Sequence, residues 1–429
     1  MDILRFGDRG PQVEYLQLAL SRLGYSGVID GIFGAETRRN VTKLQNDNGL
    51  SPDGIVGEKT WQILLPILRG YTYYTIKPGD TVWSLAKAFY TSQNTILQAN
   101  PGLVPDSLGV GARIIIPYGF PLIPTNVSYT YTLYKLLVDG LRVRYPFIRV
   151  GTVGTSVMGQ NLYSLTIGEG ENEVFYNAAH HANEWITTPV LLKYLEDYAE
   201  SYSQGGEIFG YRAETLYTAV TLYTVPMVNP DGVDLVNGAI DADSSFYRQA
   251  LAYGRNYPQI PFPSGWKANI EGIDTNLSYP AEWERAREIK FSQGFTSPAP
   301  RDYVGTAPLA AKESAAIYEF TRAHDFLLTL SYHTQGEVIY WQFLNYMPPN
   351  AREIGALFSS VSGYALEETP YESSFAGYKD WFIQDYNRPG YTIEAGSGQN
   401  PLPIRDFQKI YRDNIGILAS GLAVFTDMI

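Results

Sequence analysis

No cysteine occurs anywhere in the 429-residue chain, and histidine occurs only four times. The first absence excludes disulfides, thiolate metal ligands and a cysteine nucleophile. Hydrolytic chemistry is left to hydroxyls, carboxylates, imidazoles, or a metal held by nitrogen and oxygen. Positive charge is also scarce: 32 Lys+Arg against 44 Asp+Glu leave a net charge of −12, which lacks the basic footprint of a nucleic-acid binder. Long apolar runs are missing too, since none approaches the roughly 18 residues of a membrane span. The opening MDILRFGDRG has no basic-then-apolar secretory pattern, so an export route is not evident.

What is present is length, an apolar content of 45%, and 34 tyrosines. The length and apolar fraction imply two to three folded units. Most of the tyrosines are expected as half-buried packing, although aromatic rings also line sugar-binding grooves.

An internal repeat opens the chain. Asp30-Gly31-Ile32-Phe33-Gly34 with Thr37 returns as Asp53-Gly54-Ile55-Val56-Gly57 with Thr60. Each Asp-Gly predicts a tight turn with positive φ, and the following Thr or Glu predicts a helix cap. Apolar spacing predicts helices over 13–23, 36–46 and 60–65, a small three-helix bundle spanning residues 1–68. The stretches GDRGPQVEYLQLALSRLGY, DGIFGAETRRNVTKLQ and DGIVGEKTW resemble the peptidoglycan-binding-like module of wall hydrolases.

Residues 72–118 read as strand, helix, helix, strand. Tyr74, Gly79-Asp80-Thr81, Leu85, Ile96, Asn100-Pro101 and Ile114 to Pro117 resemble a LysM domain, a module that binds N-acetylglucosamine chains. That resemblance implies glycan contacts at Asp80, Thr81, Val82, Asn100, Pro101, Gly102 and Leu103. By themselves, Asp80 and Thr81 would be ordinary helix-capping residues.

The proline-bearing stretch 119–125 reads as a linker into a large unit over 126–429. There, helical patterns (130–145, 188–202, 308–323, 403–426) alternate with apolar β-rich runs (EVFYNAA, AVTLYTVPMV, FLLTLSYH, RPGYTIEAG). Such alternation predicts an α/β fold with a mixed central sheet and helices on both faces.

Just past the first of these strands comes Ala179-His180-His181-Ala182-Asn183-Glu184, where open α/β sheets place their ligands. In a first helical turn, His181 and Glu184 can converge on one cation, and both suit zinc. A third ligand must come from the few remaining histidines. His324 sits in a polar helix end and reads as solvated, whereas His333 ends an apolar strand. The zinc set expected is therefore His181, Glu184 and His333, with a position left open for water. Glu394 ends another apolar strand, where a carboxylate is costly unless used or paired, and is the candidate base.

HxxE, VNPDG, a DxN segment, an SYH strand end and a TxE strand end occur in the order found in zinc carboxypeptidases of the carboxypeptidase A type, and the chain resembles that family over its C-terminal unit. The resemblance implies that Glu394 moves the proton, that Asp274 orients His181, and that Lys267 replaces an arginine at the oxyanion. It also implies that Tyr371 stands for a mobile tyrosine over the substrate. The Asn229-Pro230-Asp231-Gly232 turn is expected to be structural.

One departure concerns Asn276-Leu277, in the substrate region. The family has Asn-Arg there, and its arginine clamps a free C-terminal carboxylate. With the wall modules, this departure makes the chain similar to γ-D-glutamyl-L-diamino acid endopeptidases, which cut between γ-D-glutamate and diaminopimelate or lysine in peptidoglycan stems. Two alternatives stay open: a carboxypeptidase using another cation such as Arg388, and a non-catalytic wall-binding protein. The expected location is the cell wall or the extracellular space, with a spore or mother-cell compartment also open.

Overall fold

A computed structural model of the chain describes residues 1–426. The backbone forms two compact units, Met1–Ser128 with Thr132–Arg149, and Tyr129–Tyr131 with Val150 onward.

The first unit begins with helices α1 (Pro11–Arg22), α2 (Ala35–Asp47) and α3 (Glu58–Arg69). The Asp-Gly turns have the expected positive φ, 68° at Gly31 and 74° at Gly54. Their anchoring differs from the sequence expectation. Helices α2 and α3 start at Gly34 and Gly57, with no side-chain cap. Thr37 and Thr60 instead face inward, beside two buried glutamines. Gln17 Nε2 donates to Asp30 Oδ1, Ile32 O and Thr37 Oγ1, while its Oε1 accepts the Asp30 and Gly31 amides. Gln45 repeats this at the second turn, donating to Asp53 Oδ1, Ile55 O and Thr60 Oγ1 and accepting from Gly54 N. A buried amide satisfied on both ends in this way specifies the turn without leaving polar groups orphaned.

Strand β1 (Tyr71–Thr75), helices α4 (Val82–Ala88) and α5 (Gln93–Ala99), and strand β2 (Arg113–Pro117) follow, with β1 and β2 antiparallel. Ile76, Val82, Leu85, Ile96, Ile114 and Ile116 form their small core. The stretch after β2 is pinned rather than slack. Leu122 and Ile123 are buried, and Arg144 donates to the carbonyls of Tyr118 and Phe120. Arg144 belongs to helix α6 (Tyr131–Arg144), most of which packs within this first unit. Gly140 of α6 is required there, because a Cβ would lie 2.3 Å from the Arg69 carbonyl.

The second unit is built on an eight-stranded sheet. Its strands are β3 (Arg149–Thr155), β4 (Asn161–Ile167), β5 (Asn172–Ala178), β8 (Val220–Val225), β9 (Leu328–His333), β10 (Val338–Tyr340), β11 (Ala365–Glu367) and β12 (Gly390–Glu394), while β6 (Glu207–Ile208) and β7 (Tyr211–Arg212) make a separate short hairpin. The order is β11-β10-β12-β9-β5-β8-β4-β3. The four central strands β12, β9, β5 and β8 run parallel, and antiparallel neighbours flank them, which is the mixed sheet expected. Every residue of β9 is buried, so both faces of the sheet are covered, as parallel strands require. Among the covering helices are α7 (Thr187–Ser203) and the helices over 351–362, 378–386 and 407–423.

Candidate metal centre and active-site cleft

Three adjacent parallel strands, β5, β9 and β12, end at the same edge. His333 ends β9 and is the register partner of Glu394, the last residue of β12. Beyond β5 the chain turns through Ala179, at φ 53°, into a short 3-10 turn, Ala182–Glu184. Thr187 fastens this turn by accepting the Ala179 amide and donating to Glu184 O. Asn229 ties it from below: its Nδ2 donates to His180 O and Ala268 O, and its Oδ1 accepts from Gly232 N. The VNPDG turn is thus a clamp on the backbone bearing the histidine, as its structural reading implies.

At this edge His181, Glu184 and His333 converge with one donor atom each within 4.8 Å of one another, and all three are buried. His181 Nδ1 lies 2.9 Å from Glu184 Oε1, and His333 Nδ1 lies 2.9 Å from Glu184 Oε2 and 3.1 Å from His181 Nδ1. Protons alone cannot satisfy this triangle. Each Nδ1 faces a carboxylate oxygen and so wants a proton, yet the two nitrogens also face each other, where one must accept. A single cation at the centre satisfies all three contacts, and two imidazoles with one carboxylate suit zinc. His181 Nε2 pairs with Asp274 Oδ1 at 3.0 Å, the outer contact that fixes a ligand imidazole's tautomer and leaves Nδ1 for the metal.

The charges respond accordingly. Without a cation, burial would lower the His181 pKa, but the charges of Glu184 and Asp274 push it up to about 9. Burial opposes the ionised form of Asp274, yet His181 and Lys267 hold its carboxyl well below the usual carboxylate range. Glu394, partly buried, is pushed up to about 8, first by lost solvation and then by the charge of Glu184. Its carboxylate makes no hydrogen bond among the described residues.

His181 and Glu394 line a cleft of about 610 Å³ together with Lys267, Asp274, Asn276, Leu277, Tyr340 and Arg301. Lys267 Nζ stands 3.1 Å from Glu184 Oε1. Asn276 Oδ1 accepts the Tyr378 amide, and Leu277 packs against the core cluster around Tyr279 and Trp381. Tyr371 is not brought in. It lies on the 3-10 turn Tyr371–Ser373, 60% exposed, with its ring 5.2 Å from Phe375. In a 3-10 turn residues three apart share a face, so Pro370 and Ser373 line the cleft and Tyr371 is turned away. The tyrosine in the cleft wall is Tyr340, on β10 opposite Thr392, which no motif marked.

Two other expectations change. His324 is outside the metal cluster as expected, but it is packed rather than solvated, its ring stacked 4.9 Å from Phe326 and its Nδ1 2.7 Å from Phe320 O. Arg388 pairs with Asp325 and Phe326 O just before β12, at the far end of that strand from Glu394, and cannot clamp a substrate there.

In the LysM-like region the polar side chains singled out are occupied internally. Asp80 Oδ2 accepts Lys77 N and Tyr74 OH, and Thr81 forms a capping box with Ser84. Asn100 joins α5 to β2 by donating to Ile96 O and Ile115 O and accepting Ile115 N. Val82 is core and Leu103 packs against it, while Gly102, beside Pro101, makes a turn at φ 89°. What faces outward beside Val82 is Trp83, 60% exposed.

Residues 134–416 match the zinc carboxypeptidase family, residues 9–64 a peptidoglycan binding domain, and residues 74–117 a LysM domain. The chain belongs to the zinc carboxypeptidase family and is a zinc metallopeptidase with two wall-binding-type domains ahead of its catalytic region. Among characterised relatives it is 41% identical to Gamma-D-glutamyl-L-diamino acid endopeptidase 1 of Lysinibacillus sphaericus, over 81% of this chain and 98% of that one. It is 26% identical to rat carboxypeptidase B over 50% of this chain and 46% of the relative. The fold matches carboxypeptidase A from Helicoverpa armigera with a TM-score of 0.53 at 15% identity, covering 96% and 94% of the two chains.

Proposed function

We propose that the chain hydrolyses the γ-D-glutamyl–diamino acid bond of peptidoglycan stem peptides, held at the wall by its N-terminal domains. The observation that carries this reading is Leu277. It stands in the cleft where a carboxypeptidase keeps an arginine for the substrate's terminal carboxylate, and its uncharged side chain packs against the core. The 41% identity to an enzyme named for the γ-D-glutamyl bond supports the same substrate.

In this reading His181, Glu184 and His333 hold the zinc, and Asp274 steadies His181. Bound there, zinc supplies a Lewis acid that polarises the scissile carbonyl and lowers the pKa of water. Glu394 takes the proton from the attacking water and delivers it to the leaving amine of the diamino acid as the C–N bond breaks. Lys267 faces the oxyanion with a single ammonium in place of a planar fork. Asn276 contributes its side-chain Nδ2 to the substrate, since only its Oδ1 is used by the fold.

The glycan lies on the turns around 79–83 and 100–104 of the LysM domain. Because Asp80, Thr81 and Asn100 are occupied, backbone groups and the Trp83 face make the contacts. Activity is placed at the cell wall. Mass spectrometry of fragments released from purified stems tests the function. On tetrapeptide stems that end in D-Ala, L-Ala-D-Glu and diaminopimelyl-D-Ala are expected, whereas release of D-Ala alone would make the chain a carboxypeptidase.

A further inference from the structure

Five charged side chains in the cleft have no role in the steps above: Lys290 pairs with Asp302 and Lys379 with Asp380, which leaves Arg301. Arg301 lies on the segment 299–303, which is woven into the segment bearing Lys267 and Asp274. Lys267 N and Ala268 N both donate to Pro300 O, Ala299 N donates to Gly272 O, and Asp274 N donates to Tyr303 O. Asp302 N donates to Asp274 Oδ2. Arg301 is therefore fixed beside the lysine that faces the scissile carbonyl and the aspartate behind His181. Leu277 packs against the core cluster that includes Tyr378 and Trp381.

The arginine is held by one nitrogen only. Its Nε contacts Asp302 Oδ2 at 2.6 Å, and Asp302 Oδ1 contacts the buried Lys290 Nζ at 2.8 Å. One carboxylate thus serves two cations and leaves an excess positive charge on the cleft wall. The terminal nitrogens of Arg301 make no hydrogen bond among the described residues, and the side chain is 42% exposed. A guanidinium steadied through Nε, with its forked edge free, is pre-organised to take a carboxylate with two parallel hydrogen bonds.

We propose that Arg301 binds the free α-carboxylate of the γ-linked D-glutamate and is the residue by which the enzyme distinguishes a γ-glutamyl bond from an ordinary peptide bond. This rests on the γ-D-glutamyl reading above. In an α-linked peptide the α-carbonyl of the residue before the cut is itself in the scissile bond, so no carboxylate remains there. In a γ-linked glutamate the α-carboxylate carbon lies four bonds from the scissile carbonyl carbon, about 5 Å in an extended chain. That span is short enough for the carboxylate to be met beside Lys267, which faces the scissile carbonyl, and Arg301 stands next to Lys267 in the cleft wall. The cation missing at Leu277 and the cation present at Arg301 are complementary: the first would read a carboxylate beyond the cut, the second reads one before it.

The test pairs a substrate change with a residue change in the full-length zinc enzyme. L-Ala-γ-D-Glu-diaminopimelate and the same stem with its D-glutamate α-carboxylate amidated are compared for the parent, Arg301→Lys and Arg301→Met, with zinc content measured for each. The parent should lose about 30- to 3,000-fold in kcat/KM on amidation, as expected when one partner is removed from a charge pair that bound substrate desolvates. Arg301→Met should lose a similar factor on the acid stem and treat the two stems alike within about threefold, because its one coupling is already gone. Arg301→Lys should keep part of the discrimination. If the parent cuts the amidated stem within threefold of the acid stem, or Arg301→Met holds zinc and still discriminates, the assignment is overturned. The parent arm decides even if Arg301→Met fails to fold. A parent that cuts neither stem at the γ bond overturns the underlying function as well, so the two failures are distinguishable.

Discussion

The LysM domain and the zinc cleft use polar side chains in opposite ways. In the LysM domain, Asp80, Thr81 and Asn100 all close on the backbone around them. The same holds for Gln17 and Gln45 in the helical module. In the cleft, the nitrogens of His181 and His333 crowd one point, the Glu394 carboxylate has no hydrogen-bond partner among the described residues, and Arg301 keeps an open edge. A motif in the small domains thus encodes the shape of a turn, and in the proposed reading recognition falls to the backbone and to exposed rings. A motif in the cleft encodes groups that the fold leaves unsatisfied so that a cation and a substrate can satisfy them.

The sharpest way to break this contrast is at the metal. His333→Ala should lose stoichiometric zinc and all measurable activity, whereas His324→Ala, which removes only a packed ring, should keep both. Metal analysis of the purified variants decides, and zinc loss in His324→Ala with retention in His333→Ala would contradict the ligand set. Next in size is the unpartnered carboxylate. Glu394→Gln should keep zinc and lose about 100- to 10,000-fold in kcat. A loss within about tenfold would remove its role as proton carrier.

Glu313 sharpens the contrast from within the catalytic unit, because it is a buried carboxylate used for structure. It accepts from Val157 N and Asn269 Nδ2, and burial pushes its pKa up to about 7 from an ordinary 4.5. A raised carboxyl pKa means that the folded state holds the proton more tightly. Its stabilising contribution is complete below pH 4.5 and is lost as pH rises to about 7. Glu313→Gln removes that loss, so its stability relative to the parent should climb over this window, by on the order of 3 kcal/mol, and then level off. Urea unfolding at several pH values reads this directly, and a flat difference would contradict it. The smallest effect belongs to the exposed ring. Trp83→Ala should weaken sedimentation with wall sacculi by about 2- to 10-fold and leave turnover of soluble stems unchanged. Equal sacculus binding would place the glycan elsewhere.

Much of the cleft was legible in the sequence because its chemistry has few possible owners. With no cysteine and four histidines, a strand-end histidine and an HxxE turn leave little choice of ligands, and a glutamate ending an apolar strand stands out. The central strands were legible as continuous apolar runs. What was hidden depends on packing. Gln17 and Gln45 sit on helices as unremarkable polar residues until the turns fold over them. The mainly first-unit placement of α6 depends on Gly140 fitting against Arg69 O, which periodicity cannot show. The outward direction of the Tyr371 ring was hidden too, because a 3-10 turn sets which of its residues faces the cleft. Arg301 carries no motif, and its significance appears only once Pro300 is seen bonded to Lys267 and Ala268.

In the proposed reading, cleavage does not depend on a free carboxylate beyond the scissile bond. This is tested most directly by kcat/KM on three L-Ala-γ-D-Glu-diaminopimelate stems: one ending in a free carboxylate, one amidated at that carboxylate, and one extended with D-Ala. Since Leu277 offers that carboxylate no charge, the three values should agree within about tenfold, far less than the 30- to 3,000-fold of a lost charge pair. Loss of cleavage on amidation or extension, together with efficient trimming of an α-linked peptide with a free C-terminus, would make the enzyme a carboxypeptidase and contradict the account.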